Sequence, residues 1–187
     1  MEHHASILML PGWTNSGPDH WQSHWERARP AYRRVEQDDW EKPDRDDWQR
    51  KIDAAIGATN SPVILVAHSL GCIAAVDWVA AGSASLPSVR GAFLVAPADT
   101  ERPNAPEVLQ SWRPMPLIRL PFPSIVVASR NDDSASFSRS ELFARTWGSR
   151  LVDAGNAGHI HTAAGYGPWP EGRVLLDEFV REVLGNK

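Results

Sequence analysis

Six short apolar runs alternate with stretches of helical spacing along this chain, and that alternation leaves few folds open. Successive strands with a helix between them do not pair as tight hairpins. They pair in parallel, and the helices cover both faces of the sheet. The runs lie at Ser6–Leu10, Arg33–Gln37, Val63–Ala67, Ala92–Ala96, Ser124–Ser129 and Arg150–Asp153. The second is short and charged, as an edge strand would be. The pattern predicts an α/β protein, a three-layer sandwich around a mainly parallel six-stranded sheet.

The intervening segments read as helices. Pro18 and Asp19 suit a first turn after Asn15, Ser16 and Gly17, and Trp21 and Trp25 share a face. In "RDDWQRKIDAAIG", Trp48, Ile52, Ala55 and Ile56 form an apolar stripe that Gly57 ends. Leu70 to Ala81 is apolar nearly all round, the composition of a helix buried against a sheet. Ser138 and Glu141 have capping-box spacing, and Leu176, Phe179, Val180 and Val183 give the last helix an inner face. The segment Pro97–Pro123 holds seven of the 15 prolines, which forbids a long regular helix there. This segment, with Trp112, Met115 and Leu117, is the candidate wall of a pocket and equally a candidate for core packing.

At 187 residues the expectation is one domain spanning 1–187. A net charge of −4 gives no electrostatic reason to expect nucleic acid or an anionic membrane as partner. The single cysteine, Cys72, excludes an intrachain disulfide and reads as a small core residue; the expected address is the cytoplasm. The nine tryptophans read as anchors that tie loops to the core. His3 and His4 read as a flexible end.

Ligands of an open parallel sheet gather at the carboxyl ends of its strands, so polar residues there carry the chemistry. In "VILVAHSLGC", Ser69 sits between a strand and a helix, on a turn sharp enough to push its hydroxyl outward. Such a turn needs small neighbours. Gly71 supplies one, and Ala67 stands where the first glycine of the usual glycine-x-serine-x-glycine pattern belongs. A serine needs a base, and the base needs an orienting carboxylate. "RNDDSASF" follows the fifth strand and offers Asp132 and Asp133; "GNAGHIH" follows the sixth and offers His159 and His161.

Together "LPGW", "VAHSLG", "SRNDDSASF" and "GNAGHI" resemble the small α/β-hydrolase family of serine hydrolases that includes retinoblastoma-binding protein 9. The resemblance runs from about Ile7 to Leu184. It implies a compact α/β-hydrolase fold without a large cap, Ser69 as nucleophile, Asp133 as acid and His159 as base. Leu70, directly after the nucleophile, supplies one oxyanion-hole N–H, and Trp13 in the loop after the first strand supplies the other. The expected activity is hydrolysis of small carboxylic esters or related acyl compounds, with aminopeptidase or thioesterase chemistry, or an idle interaction module, as alternatives. The implied partner is a small acyl substrate. No cofactor and no metal are expected, and nothing in the sequence points to a protein partner.

The remaining polar residues have plainer readings. His68 holds the loop, Asp132 is a partner of the acid, a helix-side hydrogen-bond acceptor or the alternative acid itself, and His161 faces away or lines the pocket. His20 and His24 have i, i+4 spacing but lack the glutamate of a zinc-protease helix, so they read as hydrogen-bonding groups beside the first loop.

Overall fold

Strand side chains point alternately to opposite faces, and the first strand already divides the core in two. The computed structural model describes residues 5–185; His3 and His4 lie outside them. The first strand, β1 (Ser6–Leu10), sends Leu8 and Leu10 to one face and Ile7 and Met9 to the other. Around it lie β2 (Tyr32–Arg34), β3 (Val63–His68), β4 (Val89–Val95), β5 (Ser124–Ala128) and β6 (Arg150–Asp153). The sheet order is β2-β1-β3-β4-β5-β6, and every pairing is parallel.

Helices cover both faces. On one side lie α2 (Arg45–Gly57), α3 (Leu70–Ala81) and α4 (Phe137–Trp147), which pack Trp48, Ile52, Ile73, Phe143 and Trp147 against Leu8, Leu65, Leu94 and Val126. On the other lie α1 (Trp21–Ala28) and α5 (Pro170–Gly185), which bring Trp21, Trp25, Leu176 and Phe179 onto Ile7, Val66, Phe93 and Val127. The α/β three-layer sandwich read from the sequence is the fold observed.

The most buried helix is α3. Every residue from Leu70 to Val79 is buried, which explains why its sequence shows no polar face. Its one charge, Asp77, is 2% exposed and is met by the Arg45 guanidinium and by Gln49 at 3.0 Å, both from α2. That polar contact fixes how the two helices sit together.

Local details depart from the sequence reading at element ends. β2 runs over Tyr32–Arg34 and stops short of Gln37, because only Ile7, Leu8 and Met9 of β1 pair with it. β4 starts three residues before Ala92, and Gly91 lets it pass Phe179: a Cβ there would sit 2.8 Å from that ring. Pro18 and Asp19 lie in a turn before α1, whose N-cap is His20. The capping residue of α4 is Ser136, whose hydroxyl accepts from the Arg139 N–H, and not Ser138. The proline-rich segment carries one short 3₁₀ stretch, Glu107–Trp112.

The tryptophans act as tethers. The indole N–H groups of Trp25, Trp112 and Trp147 donate to the carbonyls of Pro168, Pro43 and Pro116. Trp21 donates to Ile160 at 3.0 Å, pinning the loop after β6. Trp112 and Met115 are buried in the core, the packing alternative, and Leu117 faces solvent.

Candidate active site

The chain order reverses between β1 and β3, which is where a doubly wound sheet opens a crevice at its carboxyl edge. Ser69 stands there, directly after β3, with φ 56° and ψ −123°. A non-glycine residue with such a backbone is strained and must be held by its surroundings. The hold is steric and local. A Cβ on Gly71 would lie 2.2 Å from the Leu10 carbonyl oxygen and 2.6 Å from that of Pro11. A Cβ on Gly12 would lie 2.8 Å from Cβ of Ser69. The β1 loop and the β3 turn therefore touch backbone to backbone. Ala67, by contrast, points into the core and is fully buried, so its methyl does not obstruct the turn.

Ser69 is the N-cap of α3 but its side chain makes no capping bond. Its Oγ lies instead 2.8 Å from Nε2 of His159. Nδ1 of the same ring lies 2.9 and 3.0 Å from the two carboxylate oxygens of Asp132. A carboxylate only accepts, so the ring proton sits on Nδ1 and Nε2 is free to accept from the serine hydroxyl. Oδ1 of Asp132 also accepts the Ser134 N–H at 2.8 Å, and this turn aims the carboxylate inward.

The acid expected from the resemblance, Asp133, makes no hydrogen bond to His159. It is exposed and accepts the Ser134 hydroxyl at 3.2 Å. The carboxylate in hydrogen-bond contact with the ring is therefore Asp132; Asp133 brings an oxygen within 4.8 Å of both but stays outside hydrogen-bond contact with the ring.

The loops that bear acid and base are tied together. Asn131 Oδ1 accepts from the Ser129 hydroxyl at 2.9 Å and from the Gly158 N–H at 2.7 Å, and the Ser129 hydroxyl accepts the Ala157 N–H. Gly158, with φ 56°, and Ile160, with φ 48°, bend the chain on either side of His159.

Two backbone N–H groups at the crevice are unspent. Among the described residues, neither Trp13 nor Leu70 donates its backbone N–H to another group, and both residues line the same crevice. The Leu70 N–H also lies at the positive end of α3. The Trp13 loop is fixed by Thr14 N–H to Trp40 O, by the Trp13 indole to Glu41 O, and by Arg34, which donates to Asn15 Oδ1 at 2.8 Å. Below it, the Gln22 side chain donates to the Leu10 and Val66 carbonyls, joining β1 to β3.

The other histidines surround the pair. His68 is buried and its Nε2–H donates to the His159 carbonyl at 2.9 Å, so it does hold the loop. Burial first, then the neighbouring His159 and His20, push its pKa well below the ordinary histidine range. His20 Nδ1 accepts the Gln22 N–H, which leaves its proton on Nε2. Burial, reinforced by His161, Arg34 and His159, pushes its pKa from 6.5 down to about 3. His161 lines the crevice, and its Nδ1 is buried without a partner among the described residues. Cys72 is a fully buried core residue, as expected.

The crevice has a volume near 430 Å³ and is bordered by the β1 loop, by His159, His161 and Thr162, and by Ala98, Arg102, Pro106 and Leu109. The last four come from the first half of the proline-rich segment. Sequence reasoning missed Arg102 and His20 as lining groups; position beyond the end of β4 was the available signal for Arg102.

Residues 7–178 match the model of the family described as serine hydrolase. The chain belongs to that family. It is a serine hydrolase with the α/β-hydrolase fold, as the sequence motifs implied. A protein from Pectobacterium atrosepticum, assigned as a YdeN-like hydrolase, is 37% identical with a TM-score of 0.84, over 96% of this chain and 92% of that one. The ydeN gene product of B. subtilis is 21% identical with a TM-score of 0.75, over 95% of this chain and all of that one (100%). Est1E from Butyrivibrio proteoclasticus, solved with ferulic acid bound, is 11% identical with a TM-score of 0.73, over 100% and 92% of the two chains. No curated protein matches the sequence. Among the described residues no helix is long and apolar enough to cross a membrane.

Proposed function

We propose that this serine hydrolase cleaves small carboxylic esters by acyl transfer, with Ser69 as nucleophile, His159 as general base and Asp132 as the carboxylate that orients it. The observation that carries this reading is the unbroken chain of hydrogen bonds from Ser69 Oγ through His159 to Asp132, ending in an open crevice. Ser69 Oγ attacks the ester carbonyl carbon as its proton passes to His159 Nε2. The imidazolium that forms is stabilised by the Asp132 carboxylate, and the new oxyanion by the Trp13 and Leu70 N–H groups. Collapse breaks the bond to the alcohol, which takes the proton back from His159. Water, deprotonated by the same nitrogen, then releases the acid and restores Ser69.

A volume near 430 Å³ suits a small substrate and gives a long lipid chain little cover. The cytoplasm stays the expected address, on the single cysteine. The test is labelling with a fluorophosphonate probe together with hydrolysis of p-nitrophenyl esters of rising chain length. Wild type should label and should turn over the short esters best, and Ser69→Ala should abolish both. Equal labelling of Ser69→Ala, or a folded wild type that neither labels nor hydrolyses, overturns the reading.

A further inference from the structure

Among the described residues the crevice holds a cation with no counter-ion. Arg102 lines it, and one terminal nitrogen donates to the Asp99 carbonyl at 2.9 Å. Its Nε is buried and has no acceptor among the described residues. Among the described residues no carboxylate comes within 4.0 Å of its guanidinium. The two acids beside it in sequence are spent elsewhere. Asp99 faces Nε of Arg139 at 3.2 Å, and Glu101 is paired with the same guanidinium and accepts the Met115 N–H. No aspartate or glutamate lines the crevice.

Further donor capacity is unspent on the far wall. His20 is 5% exposed, and its Nε2–H finds no acceptor among the described residues although the ring borders the crevice. Buried N–H groups, and a half-buried guanidinium above all, are normally satisfied, because leaving them unpaired costs more than the bond would return. Arg102 thus lines the crevice that holds Ser69 with its Nε unpaired among the described residues, while both nearby acids are engaged by Arg139.

We propose that the substrate is an ester that carries a carboxylate, which Arg102 binds while Ser69 attacks the ester carbonyl. The inference rests on the ester-hydrolase reading above. A guanidinium meets a carboxylate through two parallel N–H bonds, so the contact selects for charge and also sets orientation. The arrangement favours hemiesters of short dicarboxylic acids, or short acyl esters of a hydroxy acid, over neutral esters of equal size.

The experiment compares kcat/KM for matched pairs. One pair is an aryl hemisuccinate against the aryl butyrate, with the carboxylate on the acyl side. The other is 4-acetoxybenzoate against its methyl ester, with the carboxylate on the leaving group. In wild type one charged member should exceed its neutral counterpart by about 10-fold or more, and the ratio should shrink as ionic strength rises. Arg102→Gln should bring the ratio down to about one, and Arg102→Lys should retain part of it. Wild type that hydrolyses the neutral esters with no preference for either charged one overturns this inference and leaves the parent reading intact, as does a preference that survives Arg102→Gln. Failure to hydrolyse any of the four esters sinks both.

Discussion

Replacing Asp132 by asparagine tests the site at its most specific point. The side chain is 3% exposed, and its two oxygens accept from His159 Nδ1 at 2.9 and 3.0 Å. Oδ1 is also committed to the Ser134 N–H at 2.8 Å, so an asparagine keeps its oxygen there and puts its amide nitrogen in place of Oδ2. That nitrogen is then a donor about 3.0 Å from another donor, the Nδ1–H of His159. Oδ1, still 2.9 Å from Nδ1 but shared with the Ser134 N–H, then holds the Nδ1 proton less firmly, and a ring that moves its proton to Nε2, the nitrogen 2.8 Å from Ser69 Oγ, no longer accepts the serine proton. The negative charge that would stabilise the imidazolium is lost as well. Together these should lower kcat by roughly 10³–10⁴-fold with little change in KM. Asp133→Asn, on an exposed side chain that holds only a serine hydroxyl, should stay within about threefold of wild type. Initial rates on a short p-nitrophenyl ester measure both, with circular dichroism to confirm folding. A larger loss for Asp133→Asn than for Asp132→Asn would refute the geometry.

Gly71→Ala should cripple turnover more than its size suggests. The added methyl would lie 2.2 Å from the Leu10 carbonyl, so the β1 loop must retreat and carry the Trp13 N–H with it; a displacement near 1 Å costs about 10²-fold in kcat, and an unchanged kcat in a folded variant would count against the Trp13 assignment. Acid should destabilise the protein through His20, whose pKa falls from 6.5 in the unfolded chain to about 3 in the folded one. Between those values the unfolded chain binds more protons, so stability is complete above pH 6.5 and declines as pH falls toward 3, by on the order of 3–5 kcal/mol over the full range. Denaturant titrations at pH 7 and pH 4.5 should show a smaller loss for His20→Asn, which keeps an N-cap acceptor and removes the titration; equal losses would contradict this.

Much of this was legible because the relevant signals are local. Ser69 stands out at a junction where an apolar strand meets an apolar helix, and backbone crowding at that junction demands Gly71. His159 stands out by following the last strand. The choice between Asp132 and Asp133 was not legible in the same way. Both are carboxylates at one loop tip, and the choice depends on which oxygen the Ser134 N–H captures, a contact that chain spacing does not encode. Trp112 stayed open between pocket wall and packing for a related reason. Its size suits a pocket wall, yet its indole N–H is drawn to the Pro43 carbonyl and the ring is taken into the core. The start of α1 was misplaced because Pro18 is as compatible with a turn as with a first helical residue, and the His20 side chain captured the cap.

The cross-tie through Ser129 and Asn131 has a mechanical consequence. It makes the ends of β5 and β6 a single stiff jaw that carries ring and carboxylate as one body, whereas the serine rides on an opposing jaw built from β1 and β3. A distortion of the molecule should then open the seam between the jaws, where the Ser69 hydroxyl and the His159 ring meet, before it disturbs the alignment inside either one.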